Sequence, residues 1–123
     1  MTRHLRERII GTTNAATAVD ISIPQIKPGQ SALITHLALA NASGEIVDVA
    51  FGITSLGVFD QFWAVLSAAT GDAIGVHVIL KLLEGDKLTA RVTGTANHGP
   101  VTFIVSGTLS DETPEVVEVV TGP

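Results

Sequence analysis

Between residues 17 and 109 the chain is a succession of short apolar or alternating runs, each stopped by glycine, proline or a polar turn. This punctuation constrains the fold more than any other feature, because it leaves little length for helices and sets strand-sized pieces at intervals of roughly 8–15 residues. Residues 17–23 (TAVDISI) place Val19, Ile21 and Ile23 on one side before Pro24 ends the run. Pro28 and Gly29 mark a turn, residues 31–41 (SALITHLALAN) follow, and Ala42-Ser43-Gly44 turns the chain again. In residues 45–54, Val47, Val49, Phe51 and Ile53 alternate with Asp48, Ala50 and Gly52, the pattern of a half-buried strand. Residues 58–66 (VFDQFWAVL) and 73–83 (AIGVHVILKLL) are short enough to read as either state. Gly75 and the β-branched Val76, Val78 and Ile79 favour strand in the second. One helical turn is compatible with residues 59–69.

After the Glu84-Gly85-Asp86 turn, Leu88, Ala90 and Val92 alternate inward against Lys87, Thr89 and Arg91. A loop over residues 94–100 leads to 101–109, where Val101, Phe103, Val105 and Gly107 alternate with Thr102, Ile104 and Ser106. With an edge strand near residues 8–10, the expectation is a single all-β, jelly-roll-like antiparallel sandwich of about eight strands. Residues 14–109 would form that sandwich, 1–13 an N-terminal arm or edge segment, and 110–123 a C-terminal arm. The tail carries Val116, Val117, Val119 and Val120 between glutamates, a β-prone stretch able to add a strand to a neighbouring sheet edge.

Charge is what turns this fold class toward function. Only 15% of the 123 residues are charged, against about 25% in an ordinary soluble domain, and mean hydropathy is +0.44. Eight of the nineteen charges lie in the termini (Arg3, Arg6, Glu7, Arg8, Asp111, Glu112, Glu115 and Glu118), leaving eleven for residues 9–110. A small sandwich so poor in ionic groups cannot cover its surface with them, so some apolar surface is expected to meet another subunit. The net charge of −5 disfavours nucleic acid, which needs a basic stripe. The N-terminus lacks an apolar leader core, and the uncharged stretch 28–44 contains Gln30, His36 and Asn41 and falls short of a membrane span.

The chemical alternatives find little purchase. Cysteine is absent, and no P-loop, G-x-G-x-x-G, H-E-x-x-H or G-x-S-x-G string occurs. His36 and His77 fall mid-strand and could meet across a sheet to hold a metal. Neither has a ligand spaced beside it, so the expectation is no metal site and no cofactor. Asp48 and Asp60 could form a glycosidase pair only if the fold set them about 5–10 Å apart. Glu84 and Asp86 read as turn residues. The Asn41-Ala42-Ser43 sequon reads only as a turn. Phe59 and Trp63 would share one face of a regular strand with Phe62 opposite, so an outward Trp63 could plug a partner's pocket or stack on a sugar.

The succession Ile21-Ser22-Ile23-Pro24, Lys27-Pro28-Gly29-Gln30, Asn41-Ala42-Ser43-Gly44, Leu82-Leu83-Glu84-Gly85-Asp86-Lys87-Leu88 and Val101-Thr102-Phe103 resembles small jelly-roll proteins of tailed-bacteriophage particles, including capsid decoration and head- or tail-fibre components. The resemblance spans roughly residues 17–109. It implies a non-enzymatic virion protein assembled in the host cytoplasm, a homo-oligomer in the form of a trimer or larger symmetric assembly, attached to the major capsid or another virion protein. A carbohydrate- or receptor-binding module is the alternative. The interface residues expected are His36, Phe59, Trp63 and His77, with Arg3, Arg6 and Arg8 and Val116, Val117, Val119 and Val120 as arm residues.

Overall fold

Nine strands carry the alternating runs in the computed structural model, which describes residues 2–13, 18–94 and 99–111. They are β1 (Thr2–Thr12), β2 (Val19–Ser22), β3 (Gln30–Asn41), β4 (Val47–Ser55), β5 (Val58–Gln61), β6 (Leu66–Ala68), β7 (Ala73–Leu82), β8 (Lys87–Thr93) and β9 (Pro100–Asp111). The C-terminal valines lie outside the described residues.

The pairing is that of one long antiparallel hairpin rolled up. Strand β1 pairs with β9, β2 with β8, β3 with β7, and β4 with β5 and β6. Two further ladders, β3–β9 and β4–β8, close the roll. The result is a first sheet ordered β1-β9-β3-β7 and a second ordered β2-β8-β4-β5, with β6 also on β4. This is the antiparallel jelly-roll sandwich.

Alternation places the core between the sheets. Val47, Val49 and Phe51 on β4 and Leu88, Ala90 and Val92 on β8 are all fully buried, facing Leu37, Leu39, Val101, Phe103 and Val105 of the first sheet. Phe51 and Phe103 stack across the interior with ring centroids 5.9 Å apart. Each of the valine, leucine and phenylalanine side chains contributes about 1.5–3 kcal/mol by leaving water.

Three features depart from simple alternation. The run at 58–66 is not one strand. Between Gly52↔Gln61 and Val49↔Leu66, β4 advances three positions while its partner advances five. Two surplus residues must leave the ladder, so β5 ends at Gln61 and the chain loops outward before β6. No helical turn forms there. The edge strand near residues 8–10 is far longer than its sequence pattern indicates, because β1 pairs with β9 over all of Thr2–Thr12. The third departure is a bulge in β3. Ile34 pairs with Gly107 and His36 with Ser106, leaving Thr35 as an extra residue against β9. At this point the backbones close up, and a Cβ on Gly107 would fall on the Leu33 carbonyl oxygen.

The β4–β5 hairpin turns through Leu56 and Gly57, with φ of 53° and 81°. A two-residue turn with both φ positive favours Asn-Gly, whereas leucine in this region costs about 1–2 kcal/mol. Leu56 is 97% exposed and stabilises nothing by burial. Leu56→Asn is therefore expected to raise stability by about 1 kcal/mol, read as a higher urea midpoint with an unchanged slope. An unchanged or lower midpoint would show the turn to be unstrained.

Candidate functional site

The two outer faces of the sandwich differ in kind. On the second sheet, polar groups satisfy one another. Arg91 donates to both carboxylate oxygens of Asp20, from Nε at 2.8 Å and from a terminal nitrogen at 3.0 Å. Its guanidinium also lies 4.1 Å from the centroid of the Phe59 ring. The hydrogen bond to Asp20 raises the Arg91 pKa above its ordinary value. Phe59 covers Gly52, where a Cβ would come within 2.6 Å of the ring. The hydroxyls of Ser22, Thr89 and Thr54 form a chain at 2.8 Å per link. Across the centre of this face the polar groups are paired with one another, and its exposed apolar residues, Leu56 and Val58, lie at the β4–β5 hairpin.

The first sheet presents something else. Its central strands β9 and β3 show Thr102, Ile104, Ser106 and Thr108, and Leu33, Thr35, His36, Ala38 and Ala40, with no formal charge among them. One rung runs Arg6–Ser106–His36–His77, the next Arg8–Ile104–Ala38–Gly75, and the next Ile10–Thr102–Ala40–Ala73. Formal charge is confined to Arg6 and Arg8 on β1 at one border and Lys81 on β7 at the other. Exposed apolar side chains run across the same face: Ile79 at 88%, Ile10 at 68%, Leu33 at 41% and Ile104 at 38%. At the β7 edge, Phe62, Trp63, His77, Val78, Ile79 and Leu80 line an open groove of about 420 Å³.

Of the residues expected at an interface, His36 and His77 are brought together. They are register partners, with ring centroids 4.1 Å apart. Trp63 stands beside His77 along the groove. Phe59 is separated from all three on the opposite outer face, because the break after Gln61 removes the regular alternation that would have put Phe59 and Trp63 on one side. Arg6 and Arg8 belong to the ordered edge strand β1. Arg3 pairs with Asp111 at 3.2 Å. Gln30 and Arg3 both donate to the Asp111 carboxylate and tie the ends of β1, β3 and β9 together, and the Gln30 hydrogen bond is the leading cause of its lowered pKa. Asp48 and Asp60 sit at ladder positions five residues apart along β4, roughly 17 Å at about 3.3 Å per residue, so they form no catalytic pair. Asp48 instead accepts from the Ser67 hydroxyl at 2.6 Å.

The sequence pattern did not single out Ile79, Leu33 and Ile10. Their outward position was readable in principle from strand alternation, but which side faces out depends on the pairing.

The architecture is that of a jelly-roll sandwich with one unsatisfied outer face. No protein-family model matches the sequence, and no curated protein matches it. Among solved structures, the chain is similar to one described as "Bacillus endospore appendages form a novel family of disulfide-linked pili", at 17% identity and a TM-score of 0.55, covering 91% of this chain and 89% of that one. It is also similar to the crystal structure of PirA, at 10% identity and a TM-score of 0.50, covering 83% of this chain and 92% of that one. A looser likeness, with a TM-score of 0.47 at 12% identity, is to the Tobacco streak virus coat protein, covering 92% of this chain and 88% of that one. At these identities the likeness is one of fold.

Proposed function

We propose that this protein is a non-enzymatic structural subunit that self-associates through the outer face of its first sheet and attaches to a larger particle. The observation that carries this reading is the contrast between the two faces. Sheet two pairs the polar groups of its outer face and exposes Leu56 and Val58 at its β4–β5 hairpin, whereas sheet one leaves Ile10, Leu33, Ile79 and Ile104 in water across the face around an uncharged centre. Apolar patches of this kind mark subunit contacts. The finer reading is a virion component of the capsid decoration or cement type from a tailed phage, a homotrimer seated on the major capsid or another virion protein. Its support is the turn-and-strand succession described above. With no cysteine in the chain, its assembly cannot use the disulfide linkage described for the endospore appendages, and burial of the apolar face is left to supply the affinity.

Sedimentation at two protein concentrations tests the reading. The native protein is expected to run as a trimer at tens of micromolar, and Ile79→Asp, which buries an unpaired carboxylate in the contact, is expected to weaken association by at least about a hundredfold. A native protein that stays monomeric at the highest concentration overturns the reading. A monomer whose Trp63 fluorescence responds to glycans would favour a carbohydrate-binding module, for which the exposure of Trp63 beside the β7 groove is the supporting feature.

A further inference from the structure

His36 and His77 face each other on one rung of the β3–β7 ladder, and the local backbone explains why they do so with a companion hydroxyl. In a regular strand Thr35 and His36 would point to opposite sides. The bulge in β3 cancels that alternation and brings the Thr35 hydroxyl to 3.0 Å from His36 Nδ1. The same hydroxyl donates to the Ser106 carbonyl oxygen at 3.4 Å. When its single proton goes to Ser106, the hydroxyl accepts from His36 Nδ1–H. In that arrangement His36 carries its proton on Nδ1 and leaves the Nε2 lone pair for a ligand. A hydrogen-bonded second nitrogen that sets the tautomer is what orients imidazoles bound to metals.

We propose that His36 and His77 form a two-imidazole site for a divalent transition metal of the zinc, nickel or copper class, clasping the edge strand β7 to β3. Two nitrogens at about 2.0–2.1 Å from one ion lie roughly 3 Å apart, and rings with centroids 4.1 Å apart reach that separation by small rotations of exposed side chains. Imidazole nitrogen selects these borderline ions over calcium or magnesium. Among the described residues no group of three or more metal-ligating side chains occurs, so the chain supplies two ligands and water completes the coordination. The nearest cations of the face, Arg6 and Lys81, lie on β1 and further along β7. Both ligands come from one chain, so the site does not depend on the assembly reading.

The test uses the full chain carrying His4→Ala, which removes the other described imidazole. Zn2+ is added in calorimetry and in thermal unfolding, and Co2+ as a quencher of the lone tryptophan, Trp63, whose groove includes His77. One Zn2+ per chain is expected, with a rise in melting temperature because the ion binds the folded pairing and not the unfolded chain. Co2+ should quench Trp63 saturably. His36→Ala or His77→Ala should each weaken Zn2+ binding at least about tenfold and abolish the melting shift. Thr35→Val, which keeps the β-branched shape and removes the acceptor, should weaken it by about tenfold. Matched melting temperatures in chelator show that the variants fold. Absence of Zn2+ binding by the parent, or binding that survives loss of either histidine, overturns the proposal.

Discussion

Phe103→Ala is expected to cost about 3–5 kcal/mol of folding stability, a large part of the 5–15 kcal/mol that holds most domains folded. Phe103 is fully buried on β9, a strand paired on both sides, with Ile9 opposite on β1 and Leu39 opposite on β3. Its ring stacks on Phe51 of the second sheet, so removing it leaves a void that both layers border. Rigid strands held by ladders on each side collapse into such a void poorly, which places the cost in the upper part of the range for large-to-small changes. Phe51→Ala should be similar, and the double variant should cost less than the sum, because the second substitution has no ring left to lose contact with. Urea unfolding of the two single variants and the double variant checks this. Additive losses would show that the stack contributes nothing beyond the separate burial of two rings.

How much of this molecule could be read from residues follows from the same physics. Strand β8 was fully legible: Leu88, Ala90 and Val92 alternate with polar neighbours and are fully buried. Strand β4 was nearly so, although Ala50 and Gly52 on its outer side are buried as well, under Arg91 and Phe59. What alternation cannot encode is the relation between strands. The break after Gln61 exists because β4 offers three positions to five residues, a mismatch invisible until the register is known. The bulge at Thr35 is of the same kind, and it decides which side of β3 His36 shares with Thr35. Strand β1 is mostly polar and charged, and only its pairing with β9 makes it a strand from end to end. The expectation of an unsatisfied surface came from charge content alone. Its location on the first sheet required the fold, since the few internal charges could have been spread over either face.

The second large effect falls on a residue whose sequence context pointed elsewhere. Asn41 sits in a sequon, yet it is 2% exposed and its side chain is fully engaged. Its amide nitrogen donates to the carbonyl oxygens of Glu45 at 2.6 Å, Ala68 at 3.0 Å and Ala69 at 3.2 Å, while its carbonyl oxygen accepts from the Ser43 amide and hydroxyl. Its backbone exchanges two further bonds with the turn before β7, donating to Asp72 and accepting from Gly71. Asn41 therefore joins the β3–β4 turn to the segment between β6 and β7, and a glycan could attach only by pulling this node apart. Asn41→Asp keeps the shape and replaces the donor with an acceptor-only carboxylate aimed at carbonyl oxygens. At about 1–3 kcal/mol for each buried acceptor left without a donor, with charge repulsion added, the loss is roughly 3–5 kcal/mol at neutral pH. The pH dependence has a definite sign. The site disfavours the anion, so the folded-state pKa of the new carboxyl rises above its unfolded value. The folded state then binds the proton more tightly, and part of the lost stability returns at low pH, where the protonated acid can again donate to a carbonyl. That recovery is complete below the unfolded pKa and disappears as pH rises through the folded one. Urea midpoints of the variant minus those of the native chain, followed from about pH 4 to pH 8, should fall with rising pH. A difference that stays flat would mean that the carboxylate finds donors or water, and that the network around Asn41 is looser than its hydrogen bonds imply.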